Sequence, residues 1–304
     1  MKFTIFQKSR PGGRKHNEDR IAFSYSREAL LMVLADGMGG HLHGEVAAQL
    51  AVQLIVESFE KHADPNLAEP RVFLRDAFYN AHYAILSYTN DHNLVETPRT
   101  TCVACIVQDD LAYWAHVGDS RLYLFRGGKL RVRTRDHSKV QQLLDQGSLT
   151  LEQIAAYPER HKIYNCMGGT LPPDVELSKK NVLLRGDTLL LCSDGLWGPL
   201  SDDEIAYTIY SYPVIHAVQQ LMDQAESREG AKSDNISAIG MTWGGGDARD
   251  EAAPGVSTIS MPHTSFITQI SSFIREHAAA PGVTDEEIDQ VIIEIQKTIE
   301  KYKK

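Results

Sequence analysis

The residues of this chain that could do chemistry are aspartates placed where apolar segments begin or end. Four of them share this placement: Asp36, Asp119, Asp194 and Asp234. Three of the four also stand beside a glycine: Gly37, Gly118 and Gly195. One Asp-Gly pair at a strand end is ordinary turn chemistry. Four such positions together, with glycines that let the backbone approach a ligand closely, indicate a shared site.

The segment Asn17-Glu18-Asp19 adds two further carboxylates to these four. Carboxylates gathered in an apolar setting repel one another unless cations lie between them. The set offers hard oxygen ligands without cysteine or clustered histidine, which favours Mg²⁺ or Mn²⁺ over Zn²⁺. The sequence therefore predicts a centre for divalent cations.

Strand-like and helical patterns come in blocks around these carboxylates. Apolar β-like runs cover residues 30–35, 102–107, 111–117, 122–125, 188–192 and 236–243. Gly127-Gly128 is typical of a hairpin turn, and helical spacing covers residues 46–59 and 72–85. Because the blocks do not alternate strictly, we predict an antiparallel α+β body rather than a doubly wound sheet.

Composition limits the classes of function that remain. The chain has 304 residues, of which 42% are hydrophobic, enough for a substantial core. Its formal net charge of -9 argues against nucleic acid as a partner. Cys102 and Cys105 form a C-x-x-C pair, but three-residue spacing in a strand puts them on opposite faces, which argues against zinc.

The sequence predicts neither a signal peptide nor a membrane span. The first residues turn polar before the apolar core of a signal peptide would be complete. No later stretch reaches the roughly 18 uncharged apolar residues of a membrane span. Because four cysteines are also too sparse for a disulfide framework, we expect a cytoplasmic protein without a membrane partner.

Composition changes divide the chain into a body, residues 1–243, a flexible linker, residues 244–262, and a tail, residues 263–304. The tail predicts a helical hairpin with two apolar stripes. They are Phe266, Ile267, Ile270, Phe273 and Ile274, and then Ile288, Val291, Ile292, Ile295 and Ile299. Thr284 and Glu287 form a capping box for the second helix. Two short amphipathic helices need another surface, which is their own body, a second copy or a partner protein.

Six motifs occur in a fixed order along the body. They are Arg14-Lys15-His16-Asn17-Glu18-Asp19, Asp36-Gly37-Met38-Gly39-Gly40, Gly118-Asp119-Ser120-Arg121, Asp136-His137-Ser138, Ser193-Asp194-Gly195-Leu196-Trp197 and Asp234-Asn235-Ile236-Ser237. In order and spacing they resemble the PPM family of metal-dependent protein phosphatases, the type-2C phosphatases, in its bacterial form. The resemblance runs through residues 1–243.

The resemblance implies two stacked antiparallel sheets flanked by helices, with metals at one end of the sandwich. It implies that Asp36 bridges two Mg²⁺ or Mn²⁺ ions and that Asp119 binds a third, weaker one. The full set of implied metal ligands is Glu18, Asp19, Asp36, Gly37, Asp119, Asp194 and Asp234. The implied catalytic residues are Arg14, Asp36 and Asp194, and Arg14 also binds phosphate through its planar fork.

The implied activity is hydrolysis of phosphoserine and phosphothreonine on a phosphorylated protein, the product of a serine/threonine kinase in signal transduction. Two cations about 3.5–4 Å apart activate a water for in-line attack, so no covalent phosphoenzyme is needed. Met38 stands where relatives from higher organisms often carry a histidine proposed as general acid. We expect a metal-bound water to protonate the leaving group, with His41, His43 and His137 as alternatives.

Two segments depart from the family pattern. Pro98-Arg99-Thr100-Thr101 lacks the usual glycine before the paired threonines, and Tyr164-Asn165-Cys166-Met167-Gly168-Gly169 lacks a common arginine. Residues 138–181 resemble the variable flap beside the site, where substrate choice is set. Two other functions remain open: a two-metal nuclease, disfavoured by the acidic surface, and a catalytically silent phosphatase-like binding or regulatory module, disfavoured by the retained motif residues.

Overall fold

A computed structural model of the chain describes residues 1–38, 43–154, 157–244 and 267–270. Its strands are β1 (Phe3–Arg10), β2 (Arg20–Tyr25), β3 (Ala29–Ala35), β4 (Cys102–Gln108), β5 (Leu111–Val117), β6 (Arg121–Arg126), β7 (Lys129–Arg133), β8 (Glu176–Leu177), β9 (Asn181–Val182), β10 (Thr188–Cys192), β11 (Ile236–Trp243) and β12 (Ile267–Ile270). Its α-helices are α1 (Gly44–His62), α2 (Pro70–Asp91), α3 (Lys139–Asp145), α4 (Leu151–Ile154), α5 (Asp194–Trp197), α6 (Asp202–Ser211) and α7 (Val214–Glu229).

The strands form two antiparallel sheets. One has five strands in the order β1-β11-β10-β6-β7. The other has seven, in the order β12-β2-β3-β4-β5-β8, with β9 also pairing with β5. Because β5 belongs to one sheet and β6 to the other, the short turn between them carries the chain across the sandwich.

Three apolar layers hold the sheets and helices together. The first lies between the seven-stranded sheet and α1 and α2, the second between the two sheets, and the third between the five-stranded sheet and α6 and α7. In β4, alternate residues from Cys102 join the first layer and alternate residues from Val103 join the second. Both faces of such a strand are buried, which is why its sequence is continuously apolar. The prediction of a helix-flanked antiparallel sandwich is confirmed.

Most elements predicted from apolar runs are present. The six strand-like runs form β3, β4, β5, β6, β10 and β11, and the two helical patterns form α1 and α2. Gly127 and Gly128 connect β6 to β7 with φ of 55° and 75°, values that favour glycine. Within the described residues, no helix has the length and apolar content to cross a membrane.

Two strands at the edges of the five-stranded sheet lack a clear sequence signal. β1 is half-buried along most of its length and carries Gln7 and Lys8, while β7 is mostly basic. Both strands are edges whose outer positions face solvent, so their sequences do not show an uninterrupted apolar run. Pairing with a neighbour, β11 or β6, determines their structure.

The cysteine pair in β4 behaves as the strand spacing predicts. Cys102 packs between the sheet and the helices, whereas Cys105 packs between the sheets. Burial raises the pKa of both thiols above the usual range. The two side chains on opposite faces cannot bind one metal ion together, and neither favours the thiolate form needed for redox chemistry.

The tail differs from its prediction where it is described. Ile267–Ile270 forms strand β12, which pairs antiparallel with β2 from Ile267 opposite Tyr25 to Ile270 opposite Ala22. The prediction of a helix is wrong for these four residues. Isoleucine is β-branched and suits a strand, and the edge of β2 offers unpaired backbone groups. The remaining residues of the predicted linker and hairpin, 245–266 and 271–304, lie outside the described ranges.

We predict that a chain ending at Trp243 folds cooperatively without the tail, because β12 adds only four residues to one sheet edge. Its Tm should fall by no more than about 4 °C, which corresponds to about 1 kcal/mol in a domain of this size. Thermal unfolding monitored by circular dichroism measures this. A broad or absent transition would show that the tail belongs to the body. Light scattering on both chains then reports whether the tail also links copies. If it does, the full chain forms an assembly of several copies and the shortened chain contains fewer copies.

Candidate metal centre

The strand ends that carry the predicted carboxylates meet at one end of the sandwich. β2 begins beside the end of β3, where Arg20 pairs with Ala35, and β10 ends beside the start of β11, where Cys192 pairs with Ala238. The turn from β5 to β6 lies at the same end, because Arg121 pairs with Cys192. The structure thus brings together all six predicted carboxylates: Glu18, Asp19, Asp36, Asp119, Asp194 and Asp234.

Asp36 follows β3 and its backbone is fixed by a pair of threonines. Thr100 donates its hydroxyl to the Asp36 carbonyl at 2.8 Å, and the Thr101 amide donates to the same carbonyl at 2.9 Å. The Asp36 amide in turn donates to the Thr101 hydroxyl at 3.3 Å. The threonines therefore do the positioning although the glycine usual before them is missing.

Gly37 is required because the backbone is crowded at this point. A Cβ atom there would lie 2.6 Å from the carbonyl carbon of Gly44 and 2.8 Å from the Glu18 carbonyl oxygen. No larger residue fits without moving the start of α1 or the Glu18 segment. The close approach keeps the Gly37 carbonyl, the predicted backbone ligand, within this crowded end of the sandwich.

Two carboxylate oxygens in this region are buried without a hydrogen-bond partner. They are Glu18 Oε2 and Asp19 Oδ1. The other oxygen of Asp19 accepts from the Ser193 hydroxyl at 2.8 Å, so the side chain is held in place while Oδ1 remains free. Buried acceptors without donors are rare and costly in proteins. Oxygen atoms that lack donors and are surrounded by carboxylates fit a hard divalent cation, directly or through its water.

Asn235 ties the Glu18 segment to the start of β11, a role that the sequence analysis did not assign. Its Oδ1 accepts from the Glu18 amide at 2.8 Å, and its Nδ2 donates to the carbonyls of Pro11 and His16 at 3.0 and 2.9 Å. A buried amide that satisfies three backbone groups fixes the loop before β2. The adjacency of Asn235 to Asp234 in the sequence was the only signal for this role.

Arg14 lies at the rim of the site rather than inside it. Its side chain is 59% exposed, and Nη2 donates to Asp234 Oδ2 at 2.7 Å. The hydrogen bond to Asp234 raises the pKa of Arg14. The guanidinium therefore remains charged and reaches the carboxylates from the solvent side, where an incoming anion would approach.

Asp119 is held by the turn and by Trp197. Gly118 has φ of 97°, and a Cβ there would lie 2.6 Å from the Thr101 Cβ, so this turn needs glycine. The Trp197 indole donates to the Asp119 carbonyl at 3.0 Å, and the Arg121 guanidinium lies 3.5 Å over the centre of its ring. Trp197 thus packs against Arg121 and positions the turn.

The histidines considered as proton donors are placed differently from one another. His43 caps the start of α1 with φ of 79°, and its ring lies 3.7 Å from Glu45. His137 is buried and its ring is occupied by hydrogen bonds. His41 lies outside the described residues. Of the two described histidines, His137 has both ring nitrogens in contact with partners, and the His43 ring is partly exposed beside Glu45.

The carboxylates are electrostatically strained by burial and by one another. Burial, with Glu45 adding, raises the pKa of Glu18 to about 7, and burial raises that of Asp19 to about 6. Burial, with Asp136 adding, raises the pKa of Asp119 to about 7. For Asp36 and Asp194, burial and the surrounding carboxylates raise the pKa well above its usual range.

A carboxyl group with a raised pKa holds its proton more tightly in the folded chain. Its ionisation therefore costs nothing below the unfolded pKa of about 4 and costs most above the folded pKa. As the pH rises from about 4 through 7, these groups reduce the stability of the cation-free fold. A bound cation removes this cost because it favours the ionised form.

We predict that Mn²⁺ raises the Tm more at pH 7.5 than at pH 5.5, each compared with EDTA at the same pH. Burial lowers the pKa of His82 and His116, which alone would make the fold more stable as the pH rises. That contribution is the same with and without Mn²⁺, so the difference between the two melts isolates the carboxylates. The variant Asp36→Asn should reduce the Mn²⁺ effect at both pH values. An equal or smaller effect at pH 7.5 in the unaltered chain would contradict this prediction.

Comparisons with known proteins agree with this geometry. The family description "Protein phosphatase 2C" matches residues 7–237. A putative protein phosphatase 2C-type from Streptococcus pyogenes is 32% identical over 228 residues, which are 74% of this chain and 92% of that protein. The serine/threonine protein phosphatase PstP of Mycobacterium tuberculosis is 32% identical over 227 residues, 74% of this chain but 42% of that longer protein.

Solved structures show the same fold. The serine/threonine phosphatase of S. agalactiae superposes with a TM-score of 0.72 and 29% identity, covering 79% of this chain and 99% of that one. The catalytic domain of PstP in complex with two manganese ions superposes with a TM-score of 0.66 and 30% identity, covering 79% and 97%. The match over residues 7–237 includes every predicted site residue. The chain therefore belongs to the protein phosphatase 2C family.

Proposed function

We propose that this protein is a metal-dependent serine/threonine protein phosphatase that hydrolyses phosphoserine and phosphothreonine in proteins. The observation that carries the proposal is the set of six carboxylates gathered at one end of the sandwich, with buried acceptors that lack donors and an arginine at the rim. Like charges held this closely require cations, and an arginine beside them suits a phosphoryl group. The relatives named above support the reaction class.

The residues present fit two Mg²⁺ or Mn²⁺ ions. We propose that Asp36 would serve both ions, that the Gly37 carbonyl, Asp194 and Asp234 would be further ligands, and that Glu18 and Asp19 would act largely through water. Two cations in these positions would supply Lewis-acid activation of the hydrolytic water and neutralise charge at phosphorus. PstP, 30% identical over the matched region, binds two manganese ions in its solved complex.

The protein's own residues hold and orient the reacting groups. Thr100 and Thr101 fix the Asp36 backbone, and Asn235 fixes the Glu18 segment, so that the carboxylates need not reorganise during the reaction. Arg14 can turn its fork from Asp234 towards phosphoryl oxygens at the rim, which binds the substrate and neutralises charge. Direct attack by water needs no nucleophilic side chain.

Asp119 has a separate role in this proposal. It stands on the turn that crosses between the sheets, and Asp136 and Arg121 lie near it. We propose that it would hold a third, weaker cation, which when bound would acidify water and so supply the proton for the leaving group. Support comes from Met38, which cannot donate a proton, and from the placement of His43 and His137 described above.

The substrate is proposed to be a phosphorylated protein formed by a serine/threonine kinase, and the catalytic unit to be residues 1–243. The net charge of -9 argues against nucleic acid as the substrate. We propose a linker at residues 244–262 and, beyond β12, a helical segment that packs on the body, self-associates or binds a partner. The second candidate function, a silent binding module, would keep the fold and lose turnover.

The first test is turnover of a phosphothreonine peptide and of an aryl phosphate with Mn²⁺ and with EDTA. We expect activity that EDTA abolishes. Asp36→Asn should lower kcat on the order of 10²- to 10³-fold or more, because one side chain serves both cations and its charge balances theirs. Asp76→Asn is the matched control, since Asp76 is exposed on α2.

Three outcomes would contradict the proposal. A wild-type kcat for Asp36→Asn at saturating Mn²⁺ would show that Asp36 is not a ligand in the centre. Absence of turnover in the unaltered chain, with Mn²⁺ still bound in calorimetry, would favour the binding module, and cleavage of DNA or RNA would favour the nuclease.

The second test concerns Arg14. Arg14→Ala should raise KM for the aryl phosphate and weaken inhibition by inorganic phosphate, each by roughly 10-fold, because hydrogen bonds to a charged group contribute about 1.5–3 kcal/mol. Mn²⁺ affinity should change little. Lys15→Ala is the matched control, as an adjacent exposed cation. An increased Mn²⁺ requirement with unchanged KM would show that Arg14 acts on the cation site instead.

A further inference from the structure

A second polar cluster lies outside the carboxylate centre, between β5, β8 and the segment before α3. The rings of His116 and His137 are stacked with their centroids 4.6 Å apart. Glu176 Oε2 lies 3.4 Å from His137 Nε2 and 4.0 Å from His116 Nε2. Both histidines are buried, whereas the glutamate is half-exposed. Two histidines and a carboxylate at such distances have the composition of a zinc site.

The proton positions argue against a metal at this cluster. His137 Nδ1 accepts from the Gly118 amide at 3.2 Å, so Nδ1 carries no proton and the neutral ring carries it on Nε2. His116 Nε2 lies 2.8 Å from the Arg135 carbonyl, which only accepts, so this nitrogen is also protonated. Both nitrogens that face Glu176 are therefore N–H donors. Glu176 accepts from His137 Nε2, and the His116 N–H donates to the Arg135 carbonyl, so neither nitrogen offers a lone pair to a cation.

Asn165 is held beside the same ring in one orientation. Its Oδ1 accepts from the Asp174 amide at 3.1 Å, and its Nδ2 donates to the Asp174 carbonyl at 2.7 Å. Since these two bonds fix which end is the amine, Nδ2 donates to His137 Nδ1 at 2.8 Å. Asn165 and Glu176 belong to the flap segment, residues 138–181, and they bind opposite nitrogens of one imidazole.

His137 also contacts the turn that bears Asp119. Its amide donates to the Gly118 carbonyl at 3.0 Å, in addition to the bond from the Gly118 amide to its ring. Its own carbonyl accepts from the Tyr164 amide at 3.1 Å. His137 thus binds the backbone immediately before Asp119. It also contacts the C-terminal half of the flap segment, through Tyr164, Asn165 and Glu176.

The preceding residue makes a second connection to the same turn. Asp136 accepts from Arg121 Nε and Nη2 at 2.8 and 2.7 Å in a buried bidentate pair. Arg121 lies over the Trp197 ring, and Trp197 donates to the Asp119 carbonyl. The turn is therefore held by His137 at Gly118 and by Trp197 at Asp119, and the flap segment contacts it through His137.

We propose that Asn165, His137 and Glu176 form a flap latch that positions the flap segment against the Asp119 turn. Asn165 and Glu176 are positioning residues, because neither is among the residues that hold substrate or cations. The inference rests on the proposed function, since the latch acts by keeping Asp119 where it supports catalysis. A flap segment that detaches from His137 would release the Gly118 backbone and move Asp119.

The test uses three variants of the full chain. Glu176→Ala removes the acceptor for His137, Glu176→Gln keeps an acceptor oxygen, and Asn165→Asp keeps the shape but cannot donate to Nδ1. We expect Glu176→Ala and Asn165→Asp to raise the Mn²⁺ concentration for half-maximal turnover of an aryl phosphate by about 10-fold, as is typical when a group supporting a ligand is lost. KM should stay near the wild-type value, and Glu176→Gln should restore most of the activity.

Glu159→Ala is the matched control, an exposed glutamate of the flap segment paired only with Lys162 among the described contacts. It should leave the Mn²⁺ dependence unchanged. A latch of purely structural importance would lower the Tm of Glu176→Ala without changing the Mn²⁺ dependence, and that result would overturn the proposal. So would a Glu176→Gln variant as impaired as Glu176→Ala.

Two readouts do not depend on activity and separate failure of the latch from failure of the proposed function. Hydrogen exchange should be faster across residues 157–181 in Glu176→Ala and Asn165→Asp than in the unaltered chain. The imidazole nitrogen shifts of His137 should show a proton on Nε2. Unchanged exchange, or binding of Zn²⁺ that Glu176→Ala abolishes, would overturn the latch whether or not the protein hydrolyses phosphopeptides.

Discussion

Repulsion among buried carboxylates is the constraint around which this structure is organised. Asp36 and Asp194 are half-buried among other aspartates, and both burial and these neighbours make each charge more costly. A fold selected for stability alone would separate them. The protein instead holds them together with threonine and asparagine side chains that bind backbone groups and leave carboxylate oxygens free. Divalent cations are the partners that make such an arrangement favourable.

The sandwich makes this arrangement possible because it is rigid independently of the site. Three apolar layers on the two faces of each sheet fix the strand ends, and the carboxylates stand just beyond those ends. Gly118, with its positive φ, lets the chain turn sharply from one sheet to the other between β5 and β6, which places Asp119 between the two halves. Packing elsewhere in the molecule therefore offsets the free-energy cost of gathering like charges.

How much the sequence predicts depends on whether a segment is buried on both faces. β4 and β10 read as continuous apolar runs because both of their faces are covered, and their ends located the aspartates correctly. β1 and β7 gave little signal because solvent covers part of them, and pairing decides their structure. β12 was mistaken for a helix, since Ile267 and Ile270 stand at helical spacing, whereas pairing with the edge of β2 decides the structure of so short a segment.

The residues of the site also differ in how well the sequence predicts them. Aspartates beside glycines could be found from spacing, whereas the supporting roles of Asn235 and Asn165 could not. Asn235 depends on a backbone group 224 residues away, and Asn165 depends on a histidine ring 28 residues away. Arg14 was expected at a phosphoryl group and lies at the rim, paired with Asp234. Long-range hydrogen bonds between side chain and backbone leave no periodic pattern for a sequence to show.

The pairing of β1 with β11 has a consequence for how the molecule is made. These strands begin and end the body, with Phe3 opposite Trp243, and Arg14 meets a partner 220 residues away in Asp234. During synthesis β1 therefore remains without its partner until nearly the whole body has left the ribosome. Closure of the five-stranded sheet is a late, long-range step, in which the conformational entropy of the whole intervening chain is lost when β1 pairs with β11. The chain cannot assemble a working centre from a shortened product, so incomplete copies stay inert.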